Sequence, residues 1–305
     1  MQVSVIIPVY NAAQFLEQSV ASALAQPETA EVILIEDASR DDSYSLCQRI
    51  LEKDTRVKLI THPGHENRGA GASRNLGIRN AFADFIAFLD ADDIYLPSRF
   101  KITAEVFTTH PDAHAVYETI GTLYSDPSLK QAHLQRVGTE LTGISQKVAP
   151  QDVFRILATG KHGHIHLNGL VIRKSVISPS MQFDTSLLQC QDSDFILRLS
   201  RNHLLYGGAT QPVALRRVHA LNRVLRSPEA IAFQRKFLRK CISSDFYGSQ
   251  DRYANLYIIA RYVSWNWQGR LRRTGRLSTP LIMLMTGVYL VIHPGVLYRS
   301  MTSHK

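Results

Sequence analysis

Three aspartates within four positions, Asp90, Asp92 and Asp93, directly follow the apolar run at 85–89. Carboxylates crowded in this way repel one another unless a cation or solvent offsets their charge. Oxygen donors of this kind suit a hard divalent cation, which also bridges to phosphate oxygens. Other short apolar runs end in comparable residues: Pro8-Val9-Tyr10-Asn11 after the first, and Glu36-Asp37-Ala38-Ser39 after the second. Ligands of open parallel sheets collect at the carboxyl ends of strands, so these three stretches together predict a metal-assisted nucleotide site. A dinucleotide site is not indicated, because no G-x-G-x-x-G follows the first run, and no G-K-[ST] marks a P-loop.

The elements that must carry these residues read as strand–helix alternation, the pattern of a mostly parallel sheet with helices on its faces. Val3–Val9 is a near-continuous apolar strand. Asn11 is placed to cap a helix whose Phe15, Leu16, Val20, Ala23 and Leu24 share a face before Pro27 ends it. Strands follow at 31–35, 57–61 and 85–89, with helices starting at Asp41 or Asp42 and covering 72–82 between them. A helix initiated by Pro97 and a strand at 113–117 come next. Residues 121–151, rich in Gly, Ser, Pro and Gln, read as an insertion with little regular core. Order resumes with a strand at 165–173, a helix at 192–202 and a strand at 212–218.

At 305 residues and 45% hydrophobic, the chain is long enough to bury a sizeable core. Three cysteines, Cys47, Cys190 and Cys241, are too few and too widely spaced for a disulfide scaffold or a cysteine zinc site, which fits a reducing cytosol. No signal peptide is readable at the N-terminus. The net charge of +9 is uneven: residues 216–276 hold fourteen Lys and Arg against three acids, while residues 1–215 carry a net of −4. Such a basic segment suits a polyanionic partner, nucleic acid or anionic lipid, or is simply a solvated helix surface.

Four stretches in order resemble the motifs of the inverting glycosyltransferases of family 2, which have a GT-A fold. They are Val5-Ile6-Ile7-Pro8-Val9-Tyr10-Asn11, then Glu36-Asp37-Ala38-Ser39-Arg40-Asp41-Asp42-Ser43, similar to V-D-D-G-S-x-D-x-S. Asn67 to Gly77 resembles N-x-G-x-x-x-A-R-N-x-G with Ser73 at the small position, and Phe88-Leu89-Asp90-Ala91-Asp92-Asp93 resembles the D-x-D strand end. Further on, Gln191-Asp192-Ser193-Asp194 resembles the start of E-D-x-D-x-x-x-R with Gln in place of Glu, and Leu215 to Arg223 resembles Y-R-x-H-x-x-N-x-S. The match weakens from 98 to 160.

The resemblance implies an α/β GT-A domain over 1–225, with a Rossmann-like nucleotide-sugar-binding half at 1–97 and an acceptor half at 98–225. A basic helical extension occupies 226–305. It implies that Asp37 hydrogen-bonds the nucleotide base, that Pro8 or Tyr10 packs against that base, and that Arg74 lies by the diphosphate. Asp90 and Ala91 would face the ribose and sugar, and Asp92 would hold Mg2+ or Mn2+, with His219 near the metal or diphosphate and Arg217 or Arg223 offsetting phosphate charge. Asp192 falls at the position of the catalytic base. Read without the resemblance, Asp37 and Asp192 are also ordinary helix-capping residues, and Arg74 a surface residue of a helix. His162, His164 and His166 alternate as strand neighbours do, and suit a metal site, an acceptor pocket or an exposed edge.

The implied reaction is metal-dependent sugar transfer, with inversion, from a nucleotide sugar, UDP-linked, to a hydroxyl of a saccharide or lipid-linked saccharide in cell-surface polysaccharide synthesis. A nucleotidyltransferase with the same acidic strand ends is the enzymatic alternative. Nucleic acid is not an expected partner, because no helix-turn-helix, zinc-finger or RNP pattern accompanies the basic segment. The apolar segment at 280–298 is interrupted by His293 and Pro294, and its uninterrupted part, 280–292, reaches only ~20 Å as helix against a hydrocarbon core of ~30 Å. With Arg270, Arg272, Arg273 and Arg276 before it, and Trp265 and Trp267 nearby, it predicts peripheral attachment of a cytoplasmic protein to an anionic membrane surface through 270–298. Docking on the protein's own core or a dimer partner is the alternative.

Overall fold

The computed structural model describes residues 1–144, 147–160, 162–219, 228–242 and 252–268, together with Leu284, Thr286 and Gly287. Along the chain run β1 (Val3–Val9), α1 (Leu16–Leu24), β2 (Thr29–Glu36), α2 (Ser43–Lys53), β3 (Val57–Thr61), α3 (Gly69–Asn80), β4 (Phe85–Phe88), β5 (Ile94–Tyr95) and α4 (Lys101–Thr109). There follow β6 (Ala115–Tyr117), β7 (Gly121–Tyr124), α5 (Ser128–Val137), α6 (Val153–Thr159), β8 (Leu170–Arg173), α7 (Gln191–Asn202), β9 (Leu205–Gly207), β10 (Ala214–Val218), α8 (Pro228–Cys241) and α9 (Arg252–Gln268).

Seven strands form the central sheet in the order β3-β2-β1-β4-β8-β6-β9. The first four are mutually parallel, with Val5 opposite Val32 and Ala87, while β8 runs antiparallel between β4 and β6. Period-two alternation splits the apolar residues between the two faces. Val5, Ile7, Val9, Val32 and Leu34 pack with Leu16 and Val20 of α1 on one face. Ile6, Ile33, Ile35, Ile86 and Phe88 pack with Ile78 of α3 and Phe195 of α7 on the other. A second sheet, β5-β10-β7, stands beyond the carboxyl end of β4.

Several sequence expectations are corrected here. Residues 121–151 contain β7 and α5, because β10 supplies β7 with a parallel partner that lies almost a hundred residues away. Asn11 does not cap α1: its φ is +50°, its Oδ1 accepts the Arg40 N–H at 2.7 Å, and the helix begins at Leu16. The helix expected from Pro97 begins at Lys101. The expected strand at 165–173 is regular only from Leu170, because Leu167–Gly169 forms a single 3-10 turn capped by His166. The part of the 226–305 extension that is described, α8 and α9, packs Phe237, Leu238, Ile258 and Ile259 against Phe154 of α6 and Leu197 of α7. Trp265 and Trp267 lie on α9, but their side chains, like most of 270–298 and Arg223, fall outside what is described. Among the described residues no helix is long and apolar enough to cross a membrane.

Candidate active site

Near the carboxyl end of β1, Pro8 is half-buried opposite Ile35, and Tyr10 just beyond the strand is exposed. At the end of β2, Glu36 folds back on its own turn, its carboxylate accepting the N–H groups of Ala38 and Ser39. Asp37 is buried at the start of α3. One of its oxygens accepts the Arg68 N–H at 2.7 Å and the other the Gly69 N–H at 2.9 Å, while Asn67 Nδ2 donates to its carbonyl. Burial pushes the Asp37 carboxyl up, against those two backbone donors. Asp37 is thus no local N-cap of the helix that follows β2, which is preceded by Asp42; it reaches the backbone at the start of α3, about thirty residues away.

Helix α3 approaches the sheet closely because its glycines allow it. A Cβ on Gly77 would meet Ile6 Cγ2 at 2.4 Å, and one on Gly71 would meet Gln191 Oε1 at 2.2 Å. Asn75 then clamps the chain leading into α7: its Nδ2 donates to Phe183 O at 2.9 Å, and Phe183 N–H donates to its Oδ1 at 2.8 Å. Phe183 in turn stacks on Phe195 of α7 with ring centroids 4.1 Å apart. The Asn67–Gly77 motif thus fixes α3 and α7 relative to β1.

Beyond β4, Arg74 Nη2 donates to Asp90 Oδ1 at 2.7 Å, and the guanidinium, buried over the Phe183 ring, is no surface residue. Burial works to raise the Asp90 carboxyl, but Arg74 and His166 prevail and hold it below the ordinary value. Ala91 is buried. Asp92 Oδ2 lies 3.0 Å from His219 Nε2, and its carbonyl accepts from Arg217 Nε at 2.8 Å. Burial and the neighbouring Asp90 charge raise the Asp92 carboxyl. Asp93 is almost wholly buried, its two oxygens taking Asn168 Nδ2 at 2.6 Å and the Arg217 N–H at 2.7 Å. Burial, with Asp92 and Asp90 beside it, pushes Asp93 well up.

Asn168, which the sequence reading did not single out, joins these parts. Besides holding Asp93, its Oδ1 accepts the Asp90 N–H at 3.2 Å, its own N–H donates to His166 Nδ1 at 3.2 Å, and its carbonyl accepts from Arg99 Nε at 3.1 Å. Arg99 is itself fully buried and ion-paired to Glu118, whose carboxylate also accepts from Thr103 Oγ1. An Asn in an irregular turn carries no periodic signal, and only its four partners reveal it.

Asp192 stands in the first turn of α7, whose N-cap is Cys190 with φ of +62°. Its Oδ1 accepts the Ser193 N–H at 2.8 Å, and the side chain is part-exposed. Asp194 is different: fully buried, it receives Arg198 at 2.7 Å and Lys240 of α8 at 2.9 Å. His166, with burial lowering its pKa to about 4, feels the charges of both Asp90 and Asp192. His164 is likewise lowered by burial and lies within the field of Asp192. The residues expected at the metal and at the base are thus brought to one end of the sheet. His162 is part-exposed and the His-x-His-x-His run does not form a strand.

The donor set suits a divalent cation. Asp90 and Asp92 keep partly exposed carboxylates, and the mutual repulsion that raises Asp92 is what a bound cation would relieve. Among the described residues, Asp90, Asp93 and His166 offer ligand atoms within 4.8 Å of one another. Of these, Asp93 is already engaged by its two donors, and His166 Nδ1 by the Asn168 N–H.

The sequence model of the family described as Glycosyl transferase family 2 matches residues 4–176. The succinoglycan biosynthesis protein ExoU of Rhizobium meliloti is 42% identical over 97 residues, 32% of this chain and 28% of that protein. The matched stretch is about a third of the length of such curated relatives. Among solved structures, S. aureus TarS in complex with UDP-GlcNAc has a TM-score of 0.60 at 16% identity, over 90% of this chain and 74% of that one. The mannosyltransferase PcManGT of Pyrobaculum calidifontis, in complex with GDP-Man and Mn2+, has a TM-score of 0.53 at 18% identity, over 99% and 84%. At these identities the likeness is one of fold.

Proposed function

This chain belongs to glycosyl transferase family 2 and has the GT-A fold, and from that premise we propose that it transfers a sugar, with inversion, from a UDP-linked donor to a saccharide or lipid-linked saccharide hydroxyl. The observation that carries the reading is the convergence of Asp90, beyond β4, and Asp192 of α7 about His166, with Asp92 beside Asp90 and paired with His219. Relatives such as ExoU support a place in cell-surface polysaccharide synthesis.

Pro8, Tyr10 and Asp37 line the strand ends where the uracil would lie, and Arg74 with Asp90 borders the diphosphate and sugar. Asp92, beside His219 and Asp90, would hold Mg2+ or Mn2+, which supplies positive charge to the departing diphosphate. Asp192 takes the proton of the acceptor hydroxyl as its oxygen attacks the anomeric carbon. The bond from that carbon to the diphosphate oxygen breaks with its electron pair, and UDP leaves from the opposite face. Arg217, held by Gln18 at 2.6 Å and packed over Phe15, keeps β10 and the Asp92 turn together.

Asp92→Ala removes the carboxylate that anchors the cation, so metal-dependent UDP binding should be lost in calorimetry. Unchanged metal-dependent UDP affinity in that variant would remove Asp92 from the site. Release of pyrophosphate instead of UDP would favour the nucleotidyltransferase alternative.

A further inference from the structure

Arg216 differs from the other cations of the site in making no hydrogen bond or ion pair among the described residues. Arg74 is paired with Asp90, Arg217 with Gln18 and the Asp92 carbonyl, and His219 with Asp92. Arg216 is part-buried on β10, in register with Thr122 of β7, and among the described residues it makes no hydrogen bond or ion pair. Its charge nonetheless acts on Asp90, His164 and His166.

The alternation of β10 decides which side of the site it serves. Arg217 contacts the backbone of Asp92, and His219 the carboxylate, whereas Arg216 projects from the opposite face of the strand. On that side stand His164 and His166, both kept toward the neutral form by burial, and Asp192 acts on both of them. Arg216 is therefore a positive charge without a hydrogen-bonded partner, within the field of Asp90 and of the two histidines on which Asp192 acts, while the opposite face of β10 serves Asp92. Leaving a guanidinium unpaired in a part-buried site is costly, and an oxyanion that reaches it forms a charge-assisted, often bidentate pair.

We propose that Arg216 binds an anionic group of the acceptor, a phosphate or carboxylate carried close to the attacking hydroxyl, so that the acceptor is an acidic saccharide or a phosphate-bearing one. The inference rests on the transferase reading, whose own failure would appear separately as absent metal-dependent UDP binding.

The test measures binding of simple probes to the full chain saturated with Mg2+ and UDP: glycerol 3-phosphate against glycerol, and glucuronate against glucose. The anionic member of at least one pair should bind, its neutral counterpart should not, and the pair that responds distinguishes phosphate from carboxylate. Arg216→Gln should weaken that anionic probe tenfold or more while UDP affinity changes less than twofold, and Arg216→Lys should retain part of the binding. Equal binding of charged and neutral probes by the wild type overturns the proposal, and that comparison stands even if Arg216→Gln does not fold. A variant that loses UDP affinity and keeps the probe overturns it too, by assigning Arg216 to the donor.

Discussion

The two aspartates of the first turn of α7 show how environment separates residues of identical chemistry. Asp192 is part-exposed and accepts one local N–H, so it is open to a substrate proton. Asp194 is sealed between Arg198 and Lys240, and these contacts hold α7 to α8. Asp192→Asn keeps the shape and the Ser193 contact but cannot take a proton efficiently. Transfer should fall by about 10²–10⁴, the usual worth of a general base, with UDP affinity unchanged. Near-wild-type transfer would move the base elsewhere. A second carboxylate on the same network carries a pH signature. Burial works to raise Asp184, but hydrogen bonds from Lys240 and Ser186 prevail and hold its pKa at about 2. Its folded-state pKa lies below the ordinary value, so its stabilising contribution is complete above about pH 4 and is lost as pH falls toward about 2. Thermal unfolding of wild type and Asp184→Asn should therefore differ more at pH 6 than at pH 3. A gap independent of pH would sink this account.

At the scale of elements, α3 is the piece on which the site depends. Its start caps on Asp37, its middle supplies Arg74 and Asn75, and its glycines set its distance from β1 and from Gln191. Gly77→Ala would raise intrinsic helix propensity by about 1 kcal/mol. The new Cβ, however, meets fully buried Ile6 at 2.4 Å, and overpacking of this kind costs about 1–3 kcal/mol. The balance should be a net loss of stability, read as a lower thermal midpoint. A midpoint equal to or above wild type would show that α3 has room to shift. The short sheet β5-β10-β7 acts in a comparable way, since β10 delivers Arg217 and His219 to one side and Arg216 to the other.

The whole molecule joins a mildly acidic front to a basic back. Residues 1–215 carry a net of −4, and residues 216–276 hold fourteen Lys and Arg against three acids. Part of that charge has a structural use, as Lys240 at Asp184 and Asp194 shows. The cluster Arg270, Arg272, Arg273 and Arg276 lies outside the described residues, and we propose that it draws the protein to anionic membrane surfaces. Each basic residue near such a surface contributes roughly 1 kcal/mol, an attraction that salt weakens. The protein should sediment with phosphatidylserine vesicles at low salt, and replacing those four arginines by glutamine should release it. Failure of the wild type to sediment would remove the membrane reading.

The sequence by itself determined the alternation of strands and helices, the acidic ends of β2 and β4, and the family. Each of these is written in local periodicity or in motifs within about a dozen residues. Asp37, Arg74, Asp90, Asp92, Asp192 and His219 could be named for the same reason. Only the tertiary structure decided what lies between them. Asn168 sits in an irregular turn, and its importance comes from Asp90, Asp93, His166 and Arg99, three of which are distant in the chain. The strand β7 was invisible because its partner β10 is remote, and short strands depend on such partners. Arg216 and Arg217 are adjacent and chemically identical, and the pleat of β10 sends Arg217 to a set of hydrogen-bond partners that Arg216, on the other face, does not share.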